Sequence, residues 1–271
     1  MVGGPGGRRG SPAELTEAVR ASYDAAAGGW ASGPGPMYTR LAEALIAAAP
    51  VPLAGRRVLD LGAGTGAAGR AALAAGAGQV VAADLAVGML RAAGPALHPV
   101  AADAAALPFR AGSFDLVAAA FCLNHLPDPA AALAEARRVG AALAASTFAA
   151  GWTHPAKDAV DAALRPFGYR EPAWHACVSL DADRLAGRAE AAGFSQVRVH
   201  TVTVPAGLVT AAELAAWRLG LAQFAPFLRG LDAEARAAAR ASAERAVEQA
   251  VGRAGARHPP LVVSMALVTG C

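Results

Sequence analysis

The sequence has 271 residues, 55% hydrophobic and 17% charged. A chain of that size buries about three quarters of its unfolded surface without disulfides or metals, and the composition excludes a disordered chain. The formal net charge is +3, but Lys157 is the only lysine and the arginines fall in ones and twos, so no basic run marks a nucleic-acid surface. Cys122, Cys177 and Cys271 form no CxxC and suit a reducing compartment. The first twelve residues carry no apolar signal segment, and no uninterrupted apolar stretch of about 20 residues is present. These features predict a soluble, cytoplasmic protein with neither a nucleic-acid nor a membrane partner. They leave its oligomeric state open.

In chain order, residues 1–12 read as a mobile tail. Ser11-Pro12-Ala13-Glu14 is a helix start, with Ser as cap and Glu three residues on. Gly28-Gly29 and Gly33-Pro34-Gly35-Pro36 should break that helix, and a second spans 37–49. From residue 57 short apolar runs alternate with helical segments. Strands are expected at 58–61, 79–84, 100–102, 114–120 and 142–148, with helices at 66–75 and 128–139. Continuous apolar strands separated by helices indicate a parallel sheet covered on both faces. Further on come a helix at 181–192, a strand at 196–204 and a last strand at 261–268. Between the last two strands lies a helical excursion of roughly fifty residues, too long for a loop. It holds a helix opened by the capping box Thr210–Glu213, expected to carry Trp217, Leu219, Phe224 and Phe227. A long alanine-rich helix capped by Asp232 follows and runs to about residue 250.

The stretch Val58-Leu59-Asp60-Leu61-Gly62-Ala63-Gly64-Thr65-Gly66 is a strand that ends in alternating glycines and enters a helix. Glycines let backbone approach a ligand, and the helix start presents free N–H groups and a positive dipole end. Asp84, eighteen residues beyond Gly66, can accept from both ribose hydroxyls of a nucleoside. Gly64-Thr65-Gly66-Ala67-Ala68-Gly69 also satisfies G-x-G-x-x-G, so a dinucleotide stays open at this point. Asp60 argues against it, because a carboxylate two residues before the first glycine repels a pyrophosphate and welcomes a cation. Asp103, at the end of the third strand, is placed to accept from an adenine amino group.

Together, 58–66, Asp84-Leu85 with Met89-Leu90, Asp103 with Leu107-Pro108-Phe109, Ser113-Phe114-Asp115-Leu116-Val117 and Asn124-His125-Leu126-Pro127-Asp128 resemble the class I S-adenosylmethionine-dependent methyltransferases. The nearest subgroup acts on quinones and natural products. The resemblance is detailed over residues 55–140 and rests on layout elsewhere. Its usual Lys-Pro-Gly-Gly turn before the fifth strand is missing, since Arg138-Val139-Gly140 passes almost directly into Ala142. The resemblance implies a seven-stranded Rossmann-like α/β sandwich, strand order 3-2-1-4-5-7-6, with one antiparallel edge strand, N-terminal helices and a helical lid. It also implies S-adenosyl-L-methionine as cofactor. Gly62, Ala63, Gly64 and Gly66 would form the loop under its methionine part. Asp84 would hold the ribose, Leu85 and Met89 flank the adenine, Asp103 and the Ala104 backbone read its edge, and Ala120 and Phe121 face the methyl.

For the substrate side, His125 is a candidate general base, or else a structural histidine capping the next helix. Trp152, His154 and Lys157 follow the fifth strand, where carboxyl-end loops meet the ligand crevice. His154 and His175 have no third partner at ligand spacing, so no metal is expected. Tyr23, Trp30 and Tyr38 are candidates for an aromatic gate over the cofactor, with the glycine pairs as hinges. Trp217, Phe224 and Phe227 have helical spacing and are core residues by default, though one or two could roof a pocket.

The organisation expected is a tail and gating helices (1–50), a cofactor-binding core (51–150), the rest of the core with a substrate loop (151–204), a helical lid (205–259) and a final strand (260–271). The function expected is methyl transfer to oxygen, nitrogen or carbon of a small or medium apolar acceptor, a secondary metabolite, by in-line displacement in a closed pocket. The alternatives are an NAD(P)-dependent oxidoreductase, or a protein of the same fold catalysing rearrangement or cyclisation.

Overall fold

The computed structural model describes residues 11–176, 181–252 and 262–271. Residues 1–10 of the expected tail, Cys177 and the start of the last strand at residue 261 lie outside them, while Ser11 and Pro12 belong to the first helix and its cap. Helix α1 (Pro12–Trp30) opens on the expected capping box between Ser11 and Glu14. It runs through Gly28 and Gly29 instead of breaking there. A Cβ added at either glycine would meet nothing within 4 Å, so both face open space and their helical cost is offset by the flanking packing of Ala26 and Trp30. Helix α2 (Gly35–Ala47) follows and buries Met37, Leu41 and Leu45.

The core then alternates: β1 (Arg57–Leu61), α3 (Ala67–Ala74), β2 (Gln79–Asp84), α4 (Val87–Ala93), β3 (Pro99–Ala101), β4 (Phe114–Ala120), α5 (Pro129–Val139) and β5 (Gly140–Phe148). Five parallel strands arise from these, with β1 at the centre: Val58 pairs with Val80 on one side and Leu116 on the other. Alternation along the strands fills two cores. Val58, Val80 and Leu116 join one face with α2 and α3, while Leu59, Val117 and Leu133 join the other. The missing turn before β5 has a structural answer: α5 ends at Val139 and the strand starts at the next residue. Gly140 permits this, because a Cβ there would stand 2.4 Å from Val117 Cγ2.

After β5 come α6 (Pro155–Leu164), α7 (Ala173–Ala176), α8 (Ala182–Ala191) and β6 (Arg198–Pro205). The excursion is built from α9 (Ala211–Leu219), α10 (Ala225–Gly230) and α11 (Ala233–Val251), and β7 (Val262–Gly270) closes the sheet. The strand order is β3-β2-β1-β4-β5-β7-β6, as expected. One detail is corrected. The antiparallel strand β7 is not at the edge but lies between β5 and β6, antiparallel to both, so β6 forms the edge and runs with the parallel strands.

A second correction concerns the excursion. Trp217 and Leu219 lie on α9, but Phe224 and Phe227 do not: α9 stops at Leu219, Phe224 precedes α10 and Phe227 lies on it. Gly220 caps α9 where Pro34 packs close, since a Cβ there would stand 2.4 Å from Pro34 Cδ. The long helix α11 buries only the stripe Ala239, Ala243 and Val247. Among the described residues no helix is long and apolar enough to cross a membrane.

Candidate active site

At the carboxyl end of β1 the chain enters a left-handed loop, with φ of 66° at Gly62, 54° at Gly64 and 85° at Gly66. The three glycines serve different contacts. A Cβ at Gly62 would stand 2.3 Å from Cys122 Sγ, and one at Gly66 2.3 Å from Leu97 Cδ1, so both allow close packing. A Cβ at Gly64 would meet nothing within 4 Å. It faces a cavity of about 380 Å³ walled by the loop, by Asp84 to Met89, by Ala102 to Ala105, by Ala120 to Cys122 and by α1.

Asp84, at the end of β2, ties these walls together. Its Oδ2 accepts from Gly64 N at 2.7 Å and its Oδ1 from Ala86 N at 2.8 Å. Burial raises its pKa, and these N–H groups oppose that rise. Each carboxylate oxygen keeps a lone pair for a further donor. Asp60 is 1% exposed and accepts from Gly69 N at 2.7 Å; burial brings its pKa up to about 7. Asp103 Oδ1 accepts from Ala105 N at 2.9 Å, which fixes the turn that bears Ala104. Phe121 takes a left-handed φ of 52°, unusual for a bulky residue, and is held there by Ser146 Oγ accepting from its N–H.

Among the described residues the lining of this cavity has Asp60, Asp84, Asp103 and Asp128 but no lysine or arginine. That donor set fits a cation carrying ribose hydroxyls and opposes a pyrophosphate. The cradle at Gly64, the ribose-ready carboxylate of Asp84 and the acidic lining therefore suit S-adenosylmethionine and not a dinucleotide.

A second cavity of about 370 Å³ lies beyond β5, lined by Thr147 to Trp152, Asn124, Lys157, His175, Asp181 and the segment Trp217 to Gln223. Tyr23, Tyr38 and His125 line both cavities and so form the wall between them. His125 stacks edge-on against Tyr23 and Trp174, with ring centroids 6.0 and 6.4 Å away. Burial lowers its pKa to about 4, so its imidazole is neutral at pH 7. Phe148 and Trp152 stack at 4.7 Å, and Trp152 Nε1 donates to Val262 O at 3.0 Å.

Of the residues singled out from sequence, Gly62, Ala63, Gly64, Asp84, Leu85, Met89, Asp103, Ala104, Ala120 and Phe121 converge on the first cavity with Tyr23, Trp30, Tyr38 and His125. Trp152 and Trp217 meet at the second. Gly66, His154 and Phe224 line neither. His154 is the N-cap of α6 instead of a loop residue, and Phe224 is fully buried against Tyr169. The inner face of α1 (Pro12, Ala13, Thr16 and Val19), Asn124 and Arg218 were not foreseen as site residues. Asn124 stands in the motif with His125, and Arg218 is a charge flanked by Trp217 and Leu219, but neither pattern marks a site.

Residues 59–142 match the family described as Methyltransferase domain. A demethylmenaquinone methyltransferase of Mycolicibacterium vanbaalenii is 37% identical over 169 residues, 54% of this chain and 72% of that protein. Its counterpart in Renibacterium salmoninarum is 37% identical over 130 residues, 47% of this chain and 53% of that one. A third, in Clavibacter sepedonicus, is 47% identical over 97 residues and is spanned over only 39% of its length. The chain thus spans about half or less of two of these curated relatives. A candidate methyltransferase from an antibiotic biosynthesis pathway of Anabaena variabilis shares the fold, with a TM-score of 0.60 at 16% identity over 84% of this chain and 98% of that one.

Proposed function

The chain belongs to the class I S-adenosylmethionine-dependent methyltransferases, and from that premise we propose that it methylates a small or medium, largely apolar secondary metabolite held in the chamber beyond β5. The observation that carries this reading is the shared wall. Donor and acceptor cavities that meet at Tyr23, Tyr38 and His125 can present two reactants to each other while protein surrounds both. The curated relatives are named for a quinone, a planar apolar ring, which supports an acceptor of that shape.

Bound S-adenosylmethionine supplies an electrophilic methyl on a sulfonium whose charge is lost in the transfer. In this reading Asp84 accepts from the ribose hydroxyls with the lone pairs its backbone donors leave free. Leu85 and Met89 flank the adenine, and Asp103 with the Ala104 backbone takes its edge. Gly62, Ala63, Gly64, Ala120 and Phe121 enclose the methionine end, with Asp60 as the nearby carboxylate. Tyr23, Trp30 and Tyr38 close the site from the N-terminal helices. His125 is a wall more than a base: moving a proton from a phenol of pKa about 10 to an imidazole of pKa about 4 is uphill by roughly 8 kcal/mol. The acceptor must therefore bring its own nucleophile ready to react.

Calorimetric titration with S-adenosylhomocysteine and NAD tests the reading. Micromolar binding of the first and none of the second is expected, with at least a tenfold loss in Asp84→Ala and a smaller one in Asp84→Asn, which keeps an acceptor oxygen. Binding of NAD, or no binding of S-adenosylhomocysteine to the wild type, would overturn it.

A further inference from the structure

Lys157 is the only lysine in the sequence, and it stands in the wall of the second chamber. Its surroundings favour a cation there only weakly, through the face of the Trp152 ring and the charges of Asp158 and Asp161. It lies in the first turn of α6, three residues after the cap His154, where the helix dipole opposes positive charge. It is half-buried and its Nζ lies 5.1 Å from the centre of the Trp152 ring. Burial and the neighbouring Arg218 guanidinium both lower its pKa, against weaker support from Asp158 and Asp161.

Of the carboxylates nearby, the adjacent Asp158 forms no ion pair among the described residues, and the others are engaged elsewhere. Asp161 holds Arg218 at 2.9 Å, Glu171 pairs with His175, and Asp181 accepts from Arg184 N at 2.8 Å. None of the ion pairs among the described residues includes Lys157. Among the described residues, three buried side-chain polar atoms that lack a hydrogen-bond partner, Asn124 Oδ1, Trp217 Nε1 and Arg218 Nε, also belong to this chamber. The chamber therefore combines aromatic walls with an ammonium that takes part in no ion pair, an arrangement that an incoming anion would complete.

We propose that the chamber takes a planar acceptor bearing one acidic oxygen, a phenol or enol bound as its anion, and that Lys157 receives that oxygen. This rests on the reading of the chamber as the acceptor site. An ammonium in a partly desolvated pocket favours the ionised form of its partner, so the acceptor releases its proton to water on binding. That supplies the ready nucleophile which the neutral His125 cannot generate.

The test compares 2-hydroxy-1,4-naphthoquinone, an acidic enol, with its neutral ether 2-methoxy-1,4-naphthoquinone. Binding to the full chain is followed by tryptophan quenching, with and without S-adenosylhomocysteine. The enolate should bind at least tenfold more tightly than the ether. Lys157→Met should bring the two within twofold, and Lys157→Arg should keep most of the preference. Equal binding by the wild type, or a preference that survives Lys157→Met, would overturn the proposal. A second measurement needs no variant: acetic anhydride can acylate only this lysine side chain, and the enolate, not the ether, should slow that reaction at least fivefold in the peptide's mass spectrum. Equal protection by both probes would also overturn it. Failure of S-adenosylhomocysteine to bind would count against the methyl-transfer reading alone, because the probe ratio is measured without it as well.

Discussion

Gly62 and Gly64 stand two residues apart with similar left-handed φ angles of 66° and 54°, yet they predict opposite phenotypes. Gly62→Ala forces a Cβ to 2.3 Å from Cys122 Sγ and should cost about 2–4 kcal/mol of stability, from backbone strain and overpacking together. Gly64→Ala carries only the left-handed backbone penalty, about 1 kcal/mol, but places its methyl in the cavity, so cofactor affinity should fall at least tenfold. Thermal melts beside calorimetry separate the two, and the reverse pattern would contradict the assignment. Asp60 carries a pH dependence. Its carboxyl titrates near 7 in the fold against 3.8 without the environment, so the folded chain binds the proton more tightly. Stability should therefore decline as pH rises between about 4 and 7, with the full cost present above 7. Asp60→Asn should match the wild type near pH 3.5 and exceed it by about 4 kcal/mol at pH 8, as read by urea melts. A variant less stable than the wild type at pH 8 would refute that account.

Helix α1 covers the first cavity, and one side-chain hydrogen bond adds to the apolar packing that holds it on the core. Asp24 Oδ1 accepts from Gly88 N at 2.7 Å, supplying α4 with the cap that its own Ala86 cannot, while Arg20 Nη1 donates to Asp24 Oδ2 at 2.7 Å. Asp24→Ala should cost about 1 kcal/mol. Hydrogen exchange should rise in α1 and α4 and stay unchanged in β1 and β4, with S-adenosylhomocysteine binding several-fold weaker. Exchange that rises evenly through the sheet would show that α1 is part of the cooperative core and not a separable cover. At this scale the sequence was legible wherever local chemistry decides. The capping boxes at Ser11 and Thr210 and the caps at Asp128, Asp181 and Asp232 all mark helices that form there. It misled where packing overrides propensity, as at Gly28-Gly29 within α1, and where the chain turns at a glycine between two apolar runs, as at Gly220.

Across the whole molecule, the seven-stranded order places the ends of β1, β2 and β4 around the first cavity and the end of β5 at the second. Two helical layers then meet over those ends, α1 and α2 from one side and α9 with the turn before α10 from the other. Their contact is where Tyr23 and Tyr38 face Trp217 to Gln223. The ion pair between Arg218, 7% exposed, and Asp161 ties α9 to α6 beneath that junction.

The residues of the first cavity, which we propose hold the cofactor, could be grouped from the sequence because their chemistry is contiguous. A strand, a glycine turn and a helix start lie within 58–69, and the acids that complete the set, Asp84 and Asp103, each sit at the end of the next strand, where a parallel βαβ repeat must bring them. The acceptor chamber has no such locality. Asn124, Lys157, His175 and Arg218 come from four stretches separated by up to 94 residues in sequence, and of these only Lys157, just beyond the fifth strand, stood out as a substrate-side residue. Their meeting depends on how far the excursion folds back over β5 and where β7 inserts beside it. Those are questions of packing between distant segments, which no local pattern of hydrophobicity or turn chemistry encodes.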